Sequence, residues 1–346
     1  MIKLGITQGN PNGIAYELIL KTLDESHILD SCIPVVYGSA KAMAYYRKMF
    51  EMQSFNFTPI QKASHATAHR VNIVNVTDEN GMVEVGKATE ESAQAADTAK
   101  KMALEDLKTG EIDVLLLAPA AVDPCKTVLS NLNEKKGLKM WISDSLRLAF
   151  ATNQNTQKEA VSLVSVENLS EKLVALRDTL ICDFKVTFPR IAVLSLNAQA
   201  ADGTFGKEEE EVIRPALQAA SDKGVQCFGP YFAETWLTSE HCSKFDAIVA
   251  MYSEQVTNLF QSPSYENGAF FLANTASVVT FPDANVDFEL AGKNELIPNA
   301  FRNALYMSID IYHNRLEYKE MRQNPLKKQY FERGSDNEKL DLTKDD

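Results

Sequence analysis

The chain has 346 residues, 45% of them apolar and 24% charged, with a formal net charge of −12. This describes a globular protein of two lobes or one large α/β unit. Scattered basic residues within a net acidic chain exclude the electrostatic footprint of a nucleic-acid binder, and no apolar run approaches membrane-spanning length. Met1 to Thr7 runs straight into a Gly/Pro/Asn turn without a signal-type apolar core, so a cytoplasmic protein is expected. The five cysteines, Cys32, Cys125, Cys182, Cys227 and Cys242, are odd in number, widely spaced and free of any CxxC pair. They read as reduced thiols, not as a disulfide framework or zinc site.

Short apolar runs recur in chain order: "IKLGIT" (2–7), "IPVVYG" (33–38), "VNIVNV" (71–76), "DVLLLA" (113–118), "RIAVLSL" (190–196) and "FDAIVAMY" (245–252). Helical patterns lie between them, which predicts βα units around a largely parallel sheet. The segment 89–110 has an acidic first turn and a glycine stop, and 170–184 repeats the helical period; both are predicted helices. "SNLNEKKG" (130–137) and "ATNQNTQKE" (151–159) are polar and read as surface loops or a lobe boundary. Apolar periodicity fades beyond Phe331, so 336–346 is expected to be a mobile tail.

The first loop, "GITQGNPNGIAYELI" (5–19), joins a strand to a helix start. Gly9, Asn10 and Gly13 could form an anion-binding turn, since glycine permits positive φ or close backbone approach. Its spacing is neither that of a dinucleotide fingerprint nor that of a P-loop. "GKEEEEV" (206–212) is expected to open a helix, where carboxylates favour the macrodipole, and not to hold a metal. His65 and His69 have helical spacing without intervening ligand types and read as a surface pair. "LNAQAADGTFGKEE" (196–209) has the position of a catalytic loop, yet between Asn197 and Gly206 its only polar side chains suited to chemistry are Gln199 and Asp202.

Six segments together resemble the 4-hydroxythreonine-4-phosphate dehydrogenase (PdxA) family: "TQGNPNGIAYEL", "GKATEESAQAA", "LAPA", "LNAQAADGTFGKEE", "AMYSEQ" and "PDANVDFELAG", in family order along nearly the whole chain. The resemblance implies two α/β/α lobes with a cleft between them, of the isocitrate/isopropylmalate dehydrogenase type. The first lobe would comprise 1–125 and about 285–335, the second about 126–284. It further implies a homodimer and NAD-dependent oxidation and decarboxylation of 4-phosphooxy-L-threonine. In the family three histidines, one from across the dimer, hold a divalent metal that polarises the substrate hydroxyl and the resulting ketone.

The positions that match those histidines are Gln154, Gln199 and Ser253. An amide oxygen or a hydroxyl is a poor ligand beside imidazole, and the trio supplies no charge. Positions matching family substrate contacts are Gln261, Phe270 and Val279, and the cofactor-loop His-Gly pair falls on Ala284 and Asn285. The Asn-Lys of the family's T-A-P-I-N-K becomes Ala121 and Val122. Asp202, Glu254 and Asp283 match positions that are already acidic in the family, so they do not replace the lost imidazoles.

The leading expectation is therefore a paralog without metal and without the family oxidation. It would bind a small molecule in the old cleft, lined by Gln154, Gln199, Ser253, Gln261 and Phe270, or regulate an active relative as a heterodimer. The alternative is an active 4-hydroxythreonine-4-phosphate dehydrogenase, or a related NAD-dependent dehydrogenase, with an altered site that keeps NAD and a divalent metal.

Overall fold

The computed structural model describes residues 1–76, 83–121, 123–134, 136–143, 146–154, 156–198, 204–237, 240–257 and 267–323. The expected tail at 336–346 lies outside them. The strands are β1 (Ile2–Thr7), β2 (Cys32–Gly38), β3 (Phe57–Ile60), β4 (Val71–Asn75), β5 (Val114–Leu116), β6 (Leu138–Ile142), β7 (Arg147–Phe150), β8 (Arg190–Leu194), β9 (Gln226–Tyr231), β10 (Ala247–Ala250), β11 (Ala269–Ala273) and β12 (Val278–Pro282). They form one twelve-stranded sheet in the order β3-β4-β2-β1-β5-β12-β11-β6-β7-β10-β8-β9. The six strands expected from apolar runs are present, each buried on both faces as parallel strands under helices must be.

Three antiparallel pairings, β12–β11, β11–β6 and β6–β7, sit together at the middle of the sheet, and all the others are parallel. β12 pairs in parallel with β5 and antiparallel with β11, so one continuous sheet crosses both expected lobe boundaries, 125/126 and 284/285. The fold is mixed α/β.

The helices are α1 (Ala15–Leu23), α2 (Ser26–Ser31), α3 (Ala40–Met49), α4 (Glu90–Thr109), α5 (Pro124–Asn131), α6 (Gln157–Val161), α7 (Val166–Phe184), α8 (Arg214–Ser221), α9 (Ala233–Trp236) and α10 (Asn299–Gln323). The predicted helix at 89–110 begins at a capping box between Thr89 and Ser92 and stops at Gly110, whose φ is +77°. That at 170–184 begins earlier, where the Ser165 hydroxyl accepts from Asn168 N. α10 buries Phe301, Ala304, Leu305, Ser308 and Ile309, the i, i+3, i+4, i+7, i+8 stripe of a helix laid on a sheet.

Side-chain alternation along the strands separates two packing layers. Val114, Leu116, Val278 and Phe271 pack with α1, α7 and α10, whereas Leu115, Leu117, Val279 and Leu272 pack with α4 and α5. A third cluster around Trp141, Leu148, Ile248 and Trp236 closes the β7–β10–β8 side. All five cysteines are free thiols; Cys32 and Cys125 are buried. No helix among the described residues is long and apolar enough to cross a membrane.

Candidate functional site

The first loop is a structural junction. Gly9 has φ +61°, and a Cβ there would lie 2.4 Å from Pro119 O; one on Gly13 would lie 2.6 Å from the Val286 side chain and carbonyl. The close approach expected of both glycines is thus real. The anion cradle is not supported by the amides, which are spent inside the fold. Asn10 N donates to Pro119 O (3.0 Å), Asn12 N to Asn10 Oδ1 (3.0 Å), Gly13 N to Asn10 O (3.2 Å) and Ile14 N to Val286 O (3.1 Å). Asn12 also staples the following segment, accepting from Glu84 N (3.0 Å) and donating to Lys87 O (3.0 Å). The Thr7 hydroxyl accepts from Ala118 N (3.0 Å) and fixes the end of β1 to the loop after β5.

Where the ends of β1, β5 and β12 meet, the α4/α5 face of the sheet carries a cavity of about 520 Å³, a size typical of small-molecule sites. About half of its lining is alanine, proline and phenylalanine, and Gly9, Asn10, Ala284 and Asn285 also line it. Phe270 and Phe281 stack there with centroids 5.0 Å apart. Lys139 Nζ lies 4.5 Å from the Phe270 ring centre and 2.7 Å from Asp123 Oδ2. Lys100 Nζ pairs with Asp97 at 3.0 Å, and the Asp97 carboxyl is held below its usual range by hydrogen bonds from Lys101 and Lys100. Asp283 accepts from Trp141 Nε1 at 2.8 Å; desolvation raises its carboxyl pKa, opposed by that bond and by Lys139. Lys139 is thus paired one-to-one with Asp123, whereas Lys100 shares Asp97 with Lys101.

Sequence reasoning found part of this lining. Phe270, Ala284, Asn285, Gly9 and Asn10 are here, and so is Asp283. Val279 is not: it is fully buried in β12, two residues below Phe281, and sealed under the cavity floor. Gln199, Gln261, Val122 and Asp202 lie outside the described residues. Glu254 is exposed, in a 3₁₀ turn at 253–256. Lys139, Asp123 and Lys100 were not identified from sequence, since only the packing of β6, α5 and α4 around one space brings them together.

Gln154 and Ser253 do not line that cavity, but the structure joins them to each other. Ser253 N donates to Gln154 O at 3.1 Å, and Gln154 N to Thr152 Oγ1 at 3.4 Å. The Thr152 hydroxyl donates to Met251 O at 2.7 Å, and Lys172 Nζ donates to Ala151 O. Two positions 99 residues apart in sequence are therefore neighbours at the ends of β7 and β10. Their side chains present one amide and one hydroxyl. Among the described residues no group of three or more His, Cys, Asp or Glu is arranged to hold a metal ion. This donor set does not fit the divalent metal implied by the family resemblance.

The loop after β8 is held by its described ends. Glu209, fully buried, accepts from Leu196 N (2.8 Å), Asn197 N (2.9 Å) and Asn197 Nδ2 (3.0 Å). Asn197 Oδ1 accepts from Gln157 Nε2 (2.7 Å), and the Gln255 amide bridges Ser195 O (2.5 Å) and Met251 N (2.8 Å). Residues 209–213 form a π-helical turn before α8. Glu209 therefore acts as an acceptor for loop amides, where a contribution to the helix macrodipole was expected. His65 and His69 are both exposed, as expected, but lie on a 3₁₀ turn and a left-handed residue and not on a common α-helix.

Comparison with known proteins agrees with this geometry. The family described as "Pyridoxal phosphate biosynthetic protein PdxA" matches residues 30–308. A 4-hydroxythreonine-4-phosphate dehydrogenase of Bacteroides thetaiotaomicron is 37% identical over 354 residues, covering 99% of this chain and 97% of that one. One from Prosthecochloris aestuarii is 28% identical, covering 90% and 97%. The crystal structure of a 4-hydroxythreonine-4-phosphate dehydrogenase from Klebsiella pneumoniae superposes with a TM-score of 0.73 at 20% identity, covering 90% of this chain and 98% of that one. One from Burkholderia phymatum gives 0.72 at 22%, with the same coverage. A chain matched over this much of its length, with the two matching strand ends brought together, belongs to the PdxA family of pyridoxal phosphate biosynthetic proteins.

Proposed function

We propose that this PdxA-family protein has given up metal-dependent oxidation and holds a small molecule in the 520 Å³ cavity, as a binding or regulatory paralog. The observation that carries the reading is the contact between Gln154 and Ser253. A backbone hydrogen bond joins the two strand ends, while their side chains supply only an amide and a hydroxyl. Replacing imidazoles by such groups removes the nitrogen donors on which a zinc-like metal depends.

The cavity supports a ligand other than a phosphate ester. Three carboxyl groups, Asp97, Asp123 and Asp283, line it beside two ammoniums, Lys100 and Lys139, and Phe270 occupies a position where the family resemblance implies a polar substrate contact. A phosphate dianion would meet more carboxyl groups than ammoniums among the lining residues. An uncharged or zwitterionic molecule with a flat apolar part matches the stacked Phe270 and Phe281. As a partner the same reading assigns a second copy of this chain, or an active relative, since the family resemblance implies a site built across two subunits.

A second reading, an active dehydrogenase with an altered site, is favoured by 37% identity to the Bacteroides thetaiotaomicron enzyme over nearly the full chain. Metal analysis of protein purified without chelators separates the two. Substoichiometric zinc, manganese and magnesium are expected, and one tightly bound metal per chain would refute the first reading.

A further inference from the structure

The sheet carries a second cavity on its opposite face, about 320 Å³ in volume, between the end of α7, the flank of α10 and the turn leaving β6. Strand alternation fixes the separation. Phe270 and Phe281 face the large cavity, whereas Ala269 and Ile142 face this one.

Its polar groups are unevenly satisfied. Arg147 has five donors and lies over the Phe184 ring at 5.0 Å, yet among the described residues its one hydrogen bond is from Nη1 to Asp246 O at 3.4 Å, and Nε is buried without a partner. Ser143 Oγ is likewise buried without a partner. A buried donor left unmade costs about 1–3 kcal/mol, so two beside one cavity call for an explanation. Burial also pulls the Arg147 guanidinium below its ordinary pKa, opposed in part by the charge of Asp246.

The other lining groups narrow the class of ligand. Asp310 is an exposed carboxylate on α10 that opens on the same space, while Asp183, also in the lining, is committed to Arg315 through bonds of 2.8 and 2.9 Å. Asn303 donates its amide hydrogen to Asn267 O at 2.9 Å. Met307, Ile311 and Ile142 supply an apolar patch between the charged ends. A bare anion would meet Asp310, and a bare cation would meet Arg147. A molecule with a carboxylate at one end and an ammonium near it would meet both requirements.

We propose that this cavity binds a small zwitterion of the α-amino-acid class, its carboxylate on Arg147 and Ser143 and its ammonium toward Asp310. Such a ligand would bridge α7 and α10, adding to the Asp183–Arg315 pair that already joins them. The proposal does not depend on the chemistry assigned to the large cavity.

The test is thermal unfolding of the full chain with each of the twenty protein amino acids in turn, followed by calorimetric titration of any that stabilise it. Propionate and propylamine serve as half-ligands. At least one amino acid is expected to raise Tm, neither half-ligand should match it, and Asp310→Asn should weaken binding by about tenfold or more. Arg147→Lys keeps charge but loses the guanidinium fork and should weaken it similarly. Because Asp310 is exposed, its variant folds whether or not Arg147 also supports the core. Stabilisation by no amino acid, equal stabilisation by propionate, or unchanged affinity in Asp310→Asn would each overturn the proposal.

Discussion

Replacing Glu209 with alanine tests the view that the loop after β8 is retained as scaffold. The carboxylate is fully buried and accepts from Leu196 N and Asn197 N through Oε1, and from Asn197 Nδ2 through Oε2. Asn197 Nδ2 keeps a second acceptor in Glu208 Oε2 at 2.9 Å, but the two backbone amides have no other partner shown. Orphaning the buried Leu196 amide at about 1–3 kcal/mol, with a smaller cost at the part-buried Asn197 amide, gives a loss of about 2–4 kcal/mol, a large part of the roughly 5–15 kcal/mol typical of folded proteins. Glu209→Gln keeps one oxygen for both amides and turns a donor toward Asn197, so it should cost only about 1–2 kcal/mol. Urea unfolding followed by tryptophan fluorescence and by circular dichroism measures both, and coincidence of the two probes checks that one transition is being read. A Glu209→Ala protein within about 0.5 kcal/mol of the parent would refute the reasoning, because that is the range of a surface substitution.

Further predictions follow from single contacts. Gly9→Ala places a Cβ 2.4 Å from Pro119 O on a residue with φ +61°, and should lower stability by about 2 kcal/mol or more, seen as a lower Tm. Asp183→Asn breaks a bidentate pair with Arg315 that is almost wholly buried on the aspartate side, and should cost about 3 kcal/mol by urea titration. Burial pushes the Cys32 and Cys125 thiols up to about 12. Their unfolded-state values are near 8.5, so above that pH the unfolded chain loses protons that the folded chain keeps, and stability falls as pH rises. Two such groups imply a loss of about 2–3 kcal/mol between pH 9 and 10, and Cys32→Ala/Cys125→Ala should have a shallower slope. Installing imidazoles at the three matching positions, Gln154→His with Gln199→His and Ser253→His, should create zinc binding absent from the parent, measured by metal analysis after dialysis.

The strands that could be read from sequence are those buried on both faces. "IKLGIT" and "RIAVLSL" are predominantly apolar because parallel strands lie between two helical layers. The antiparallel strands could not be read from βα alternation, since no helix separates β6 from β7 or β11 from β12. Lys139 falls inside β6 and Arg147 opens β7, and each side chain lies over a ring distant in sequence, Phe270 for Lys139 and Phe184 for Arg147. At the site, family resemblance located Gln154 and Ser253, and the structure adds the hydrogen bond between their backbones. Phe270 and Val279 came from the same comparison, yet only Phe270 reaches the cavity, because Val279 lies deeper on its strand under the α4/α5 layer. The Lys139–Asp123 pair left no local signal, since neither residue stands in a recognisable motif and their meeting depends on how α5 caps the sheet.

The most direct test of the central claim is NADH formation by the purified chain supplied with NAD and 4-hydroxythreonine 4-phosphate, with and without added zinc or magnesium, beside the Bacteroides thetaiotaomicron relative under the same conditions. The account predicts turnover by the relative and none by this chain in any buffer. Metal-dependent turnover approaching that of the relative would contradict it, and would require a ligand set other than the positions of Gln154, Gln199 and Ser253.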